Sequence, residues 1–184
     1  MRILLLGLPR CGTTSLFDFI RELLPKNYKI EYEPYNKERD VDICENYFNK
    51  TVISNTIVLN KNETIYEWYN QIQQKFDKII YIKRKDINAQ KLSFAKTLIQ
   101  KNKNWEKSLS LSDRLIDEYI VIFDKITENK KVYFYEDVYK ECISNELYEI
   151  SDFLNLNKEK IDTYHKKWIH TKNRDNFKYK ITLI

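Results

Sequence analysis

Gly7-Leu8-Pro9-Arg10-Cys11-Gly12-Thr13-Thr14-Ser15 holds both glycines of this 184-residue chain, five positions apart, between the apolar run Arg2–Leu6 and a segment of helical periodicity. Glycine permits positive φ and close approach of a ligand to the backbone. Successive amide N–H groups at the opening of a helix make a concave, partly positive cup for an anion. The stretch therefore predicts a strand, a phosphate-holding turn and a helix. Its spacing follows Gly-x-x-x-x-Gly, the phosphate-loop outline, but Thr13-Thr14 stands where a protein hydrolysing ATP or GTP carries Lys-Ser/Thr. The cation lies inside the loop instead, at Arg10, whose planar fork can grip an oxyanion at two points. Such a loop suits a phosphate whose tail is not a triphosphate.

Outward from the loop, apolar runs alternate with helix-periodic segments. Arg2–Leu6, Tyr28–Tyr32, Thr56–Leu59, Lys78–Ile82 and Lys131–Tyr135 read as strands. The first helix carries Leu16, Phe17, Ile20, Leu23 and Leu24 at helical spacing and stops before Pro25. Strand and helix in repetition predict an α/β fold, a parallel β-sheet flanked by helices. With 42% hydrophobic residues and no Pro/Ser/Gly-rich linker, residues 1–184 read as one domain. In open parallel sheets the ligand site lies beyond the carboxyl ends of the strands, so residues just after each apolar run are the functional candidates.

Glu33-Pro34 follows the second run, where a carboxylate can take a proton from an acceptor; an ordinary turn is the bland alternative. Lys61 closes the third run, at a sheet edge where an ammonium can stabilise developing charge or simply face water. The fourth run leads into Lys83-Arg84-Lys85-Asp86-Ile87-Asn88-Ala89-Gln90-Lys91-Leu92-Ser93. A cationic helix start is unfavourable against the helix dipole, which points to a local anion.

Pro9-Arg10-Cys11-Gly12-Thr13-Thr14-Ser15-Leu16 resembles the phosphosulfate-binding loop of sulfotransferases that use 3′-phosphoadenosine 5′-phosphosulfate (PAPS), in which a Pro-(Lys/Arg)-(Ser/Cys)-Gly-Thr-(Thr/Ser) pattern recurs. Further landmarks follow in order. Some sulfotransferase branches carry a catalytic glutamate in Glu-Pro-aromatic surroundings like Glu33-Pro34-Tyr35, with Glu31 as the reserve here. The segment 83–93 is similar to the family's 3′-phosphate motif, a basic residue at a strand end followed eight positions later by a serine. That spacing from Ser93 falls on Lys85, with Arg84 nine away, so both are candidates and guanidinium geometry favours Arg84. Tyr135-Glu136-Asp137-Val138 and Phe153-Leu154-Asn155-Leu156 look like two structural markers of the same family. The resemblance implies the P-loop-like sulfotransferase fold and transfer of a sulfuryl group from PAPS to a hydroxyl or amine, without a metal. It implies that residues 9–15 hold the 5′-phosphate, that Arg10 and Lys61 neutralise charge at the sulfuryl group, and that Glu33 is the base. Lys172 or Arg174, in a basic turn-like stretch, would close over the 3′-phosphate.

Composition excludes several other classes. The net charge of +5 is spread over scattered lysines with no arginine-rich block, so no nucleic-acid partner is expected. No apolar stretch approaches the roughly 20 residues of a membrane span, and the sequence predicts a soluble, cytoplasmic chain. Cys11, Cys44 and Cys142 show no Cys-x-x-Cys pairing, and His165 and His170 share no helical face well, so neither disulfide nor metal site is expected. A small P-loop nucleotide or metabolite kinase with a degenerate Walker A loop, using Glu136-Asp137 for magnesium, is the rival reading, and a nucleotide-binding module without catalysis is a third. The acceptor stays open among saccharide, lipid, peptide and small molecule. Tyr35, Tyr47, Phe48 and Trp105 can line its pocket or merely pack.

Overall fold

β1 (Arg2–Gly7) carries Ile3, Leu4, Leu5 and Leu6, all fully buried, and an unbroken apolar run of this kind is what a parallel strand covered on both faces requires. Burial of each such side chain contributes roughly 1.5–3 kcal/mol. The structure, a computed structural model, describes residues 1–140, 142–157 and 159–166. β1 lies at the centre of a five-stranded sheet of order β2-β3-β1-β4-β5, built with β2 (Lys29–Tyr32), β3 (Tyr47–Val52), β4 (Lys78–Lys83) and β5 (Val132–Phe134). Every pairing is parallel. The helices are α1 (Thr13–Leu23), α2 (Ile65–Ile72), α3 (Ile87–Asn102), α4 (Trp105–Ile126), α5 (Tyr135–Val138) and α6 (Asn145–Phe153). Among the described residues none is long and apolar enough to cross a membrane.

Four of the five expected strands form within a residue or so of their predicted bounds, and the third does not. Thr56–Leu59 runs as loop, its Val58 N–H donating to Tyr35 O at 2.8 Å, and the strand lies earlier, at Tyr47–Val52. Asn49, Lys50 and Thr51 disguise that strand with polar side chains, yet all three are at most 1% exposed because β3 sits inside the sheet with both faces covered.

Register sorts side chains between the two faces, since paired residues of parallel strands point the same way. Tyr32, Lys50, Leu5 and Ile80 share one face, on which Phe17 of α1 stacks against Phe48 with ring centroids 4.8 Å apart. Glu31, Asn49, Leu4 and Ile79 share the other, on which α2 packs and Tyr69 hydrogen-bonds Tyr81 at 2.5 Å. The chain leaves β1 toward β2 and β3 and later crosses to β4 and β5. A crevice therefore opens at the carboxyl end of β1, the switch point of the sheet.

α3 and α4 form a hairpin over that crevice. Asp86 caps α3 by accepting from Ala89 N–H, Lys103 ends it in the left-handed region (φ 54°), and Asn104 caps α4 by accepting from Lys107 N–H. Small residues let the two helices approach, and Ser112 Oγ donates to Lys91 O at 2.6 Å across the seam.

Candidate active site

The loop between β1 and α1 is shaped by what each residue does with its side chain. Leu8 and Cys11 turn inward and are fully buried; the Cys11 thiol donates to Leu8 O at 2.8 Å, and burial pushes its pKa up to about 12. Cys11 therefore belongs to the core: its backbone N–H also donates to Leu8 O at 3.4 Å, and alone among residues 9–15 it does not line the crevice. Gly12 adopts φ 82°, and a Cβ there would lie 2.4 Å from Tyr135 Cδ2. A Cβ on Gly7 would meet Thr13 Cγ2 at 2.5 Å and Ile82 O at 2.8 Å. Gly12 is the N-cap of α1 and has no side chain to cap the first turn, so the electropositive end of that helix opens on the cleft. Gln90 of α3 donates to Pro9 O at 2.6 Å, and the Tyr139 hydroxyl donates to Gly12 O, which together pin the loop. Arg10 takes a left-handed φ of 62° and reaches across the cleft, its Nε donating to Ser93 Oγ at 2.9 Å.

This loop forms one wall of a cleft of about 1160 Å³. Pro9, Arg10, Gly12, Thr13, Thr14, Ser15, Glu33, Arg84 and Ser93 all line it, so residues far apart in sequence meet at one sheet edge. Arg84 lays its guanidinium 4.8 Å from the Tyr135 ring centroid, and its buried Nε stands 3.4 Å from Glu136 Oε1 without making a hydrogen bond. Glu136 accepts from the backbone N–H groups of Lys85 (2.9 Å) and Asp86 (3.2 Å). Burial pushes the Glu136 pKa up, but those bonds and the Arg84 charge outweigh it and hold the carboxyl below its ordinary value. The marker Tyr135-Glu136 thus fixes Arg84 in place, a role its pattern alone does not reveal.

At the opposite flank Glu33 ends β2 in a left-handed turn, φ 49°, which swings its carboxylate back over the α1 face. There Glu33 Oε1 meets Lys50 Nζ at 2.6 Å, and Oε2 accepts from Asn36 Nδ2 at 2.8 Å. Lys50 is only 1% exposed, and a buried ammonium needs its charge and donors satisfied. It also donates to Thr14 Oγ1 at 2.9 Å and lies 3.8 Å from the Tyr32 ring centroid. Lys50 therefore joins the first turn of α1 to the carboxylate.

The remaining candidates fall elsewhere. Lys61 sits in an exposed turn off the cleft, because the strand it was expected to close is not a strand; Lys50 is the lysine that the sheet brings to Glu33. Lys85 pairs with Asp137 at 2.7 Å and does not line the cleft. Glu31 points to the α2 face, where it bonds the Tyr47 hydroxyl and pairs with Lys29 at 3.1 Å. Tyr35, Tyr47 and Phe48 are core, and Trp105 is exposed away from the cleft. Lys172, Arg174 and His170 lie outside the described residues. Glu136 and Asp137, which a magnesium site would need, are engaged by Arg84, Lys85 and backbone amides. Among the described residues no group of three or more His, Cys, Asp or Glu is placed to hold a metal ion.

No protein-family model and no curated protein sequence matches the chain. Among solved structures, it is similar to the crystal structure of mouse sulfotransferase SULT7A1 complexed with PAP, with a TM-score of 0.58 and 17% sequence identity. The likeness covers 91% of this chain and 63% of that one, so the chain spans less than two thirds of the neighbour's length. At this identity the likeness establishes the fold: a parallel sheet flanked by helices in the P-loop-like arrangement of sulfotransferases.

Proposed function

We propose that the protein is a PAPS-dependent sulfotransferase. The observation that carries this reading is the meeting, in one cleft, of a phosphate loop with an arginine instead of the Walker lysine, a second cation site at Arg84 and Ser93, and the Glu33–Lys50 pair. The residues fit the nucleotide. The loop amides and the opening of α1 suit its 5′-phosphate, the Arg84 guanidinium with the Ser93 hydroxyl suits its 3′-phosphate, and Tyr135 and Tyr164 offer rings to its base. The fold neighbour's complex with PAP, the desulfated nucleotide, supports the same assignment.

When bound, PAPS supplies a sulfuryl group on a phosphate leaving group. The chain's own contribution is placement and charge. Glu33 accepts the proton of the attacking hydroxyl or amine. Once protonated it no longer neutralises Lys50, whose ammonium is then available to the oxygens on which charge grows. Arg10 can exchange its bond to Ser93 for the same region, so acceptor deprotonation and charge stabilisation are coupled through one ion pair.

The test is transfer of radiolabel from PAPS to a panel of hydroxyl and amine acceptors, read beside calorimetric binding of 3′,5′-phosphoadenosine. Glu33→Gln and Lys50→Met are expected to lower transfer by about a hundredfold or more while changing nucleotide affinity only a few-fold. Full activity in Glu33→Gln would place the base elsewhere. Tight nucleotide binding with no transfer to any acceptor would leave a binding module, and preference for ATP with magnesium would return the kinase reading.

A further inference from the structure

The half of the cleft away from the phosphate loop has its own chemistry, and it bears on the acceptor. Phe94 and Leu98 on α3 and Leu111 and Leu115 on α4 each stand one helical turn apart, and all four line the cleft half-buried. A wall of four apolar side chains that are not closed off by their own core is an apolar binding surface. It shares one cleft with Glu33 and Lys50, and the turn after β3 is tied to α4 by the Asn55 N–H, which donates to the Tyr119 hydroxyl at 3.0 Å, one turn after Leu115.

Arg114 lies on the same face of α4, between Leu111 and Leu115. Every other cation of the lining is engaged. Arg21 pairs with Asp18 at 3.1 Å and Glu22 at 3.3 Å, Lys50 with Glu33, Arg84 with Glu136, and Arg10 bonds Ser93. Arg114 has neither a hydrogen bond nor an ion pair among the described residues. The cleft volume, about 1160 Å³, also exceeds the roughly 300–1,000 Å³ of a single-ligand site, which leaves room for an acceptor beside a nucleotide.

We infer that the acceptor is a small amphiphile: a hydroxyl at Glu33, an apolar aryl or alkyl body against the α3–α4 wall, and an oxyanion, such as a carboxylate, held by Arg114. This deepens the sulfotransferase reading and rests on it. An unmodified saccharide would leave the leucine wall without an apolar partner, and a neutral phenol would leave Arg114 without an anion.

The test is calorimetric binding, with and without saturating 3′,5′-phosphoadenosine, of a hydroxyphenylpropanoate, its methyl ester and N-acetylglucosamine. The acid is expected to bind about tenfold more tightly than the ester, and Arg114→Gln to close that gap. Leu98→Asn is expected to weaken acid and ester alike by about tenfold while nucleotide affinity, which reports the fold, is kept. Equal binding of acid and ester, a gap that persists in Arg114→Gln, preference for the saccharide, or binding of none of the three would overturn the inference. Failure of the nucleotide to bind, with the acid still discriminated through Arg114, would instead strike the sulfotransferase reading and leave the amphiphile site standing.

Discussion

Arg84 and Lys85 are neighbours with different surroundings, and the difference decides what each can hold. Arg84 lines the cleft with its guanidinium over the Tyr135 ring, whereas Lys85 leans away onto Asp137. Removing a charge-assisted contact costs about 1.5–3 kcal/mol, roughly ten- to a hundredfold in affinity. Arg84→Ala should therefore weaken calorimetric binding of 3′,5′-phosphoadenosine by at least about tenfold, and Lys85→Ala by less than about threefold. The reverse ranking would assign the 3′-phosphate to Lys85. The same pair marks how far single residues are legible in sequence: the basic strand end and Ser93 are readable, but which cation faces the ligand depends on Glu136 and Asp137, some fifty positions away. Glu33 is readable because Pro34 flags the strand end. Lys50 is not, since a lysine flanked by Asn49 and Thr51 carries no local sign that a sheet will bury it.

At the scale of elements, β1 must be held at both ends to present its loop. Its carboxyl end is tied by Ile53 N–H donating to Gly7 O at 2.8 Å, and its start by Arg2, whose Nη2 meets Asp77 Oδ1 at 2.6 Å. The Arg2 side chain and backbone N–H hold the Asp77 carboxyl down, to about 2 from an ordinary 3.8. A depressed carboxyl stabilises the fold fully above its unfolded value and loses that contribution as it protonates in the folded state. Melting temperature should fall as pH drops from about 4 to about 2, and Asp77→Asn should flatten that part of the profile; the contribution is modest because the pair is partly exposed. An unchanged acid limb in Asp77→Asn would place the proton uptake on other carboxylates. Strand legibility follows the same physics. β1 announces itself by an unbroken apolar run, while Thr56–Leu59 has strand composition but bonds Tyr35 from outside the sheet. β3 has polar composition but a place inside it, and tertiary context overrides propensity in both.

Across the whole molecule, strand order turns a string of separate motifs into one site. With β1 central and the chain running first to β2 and β3 and then to β4 and β5, the tips of β1, β2 and β4 converge on one crevice, and β3 delivers Lys50 to it. The parallel sheet and the position of the glycine loop between β1 and α1 are legible from alternating periodicity and two glycines. The α3–α4 wall is not, because its apolar residues read as ordinary helix core until the cleft beside them is seen. The account stands on the nucleotide having a second phosphate seat at Arg84 and Ser93, distinct from the loop. The most direct measurement is calorimetry, without magnesium, of 3′,5′-phosphoadenosine against adenosine 5′-phosphate. The account predicts at least about tenfold tighter binding of the doubly phosphorylated nucleotide, a difference lost in Arg84→Ala. Equal affinity for the two nucleotides would contradict it.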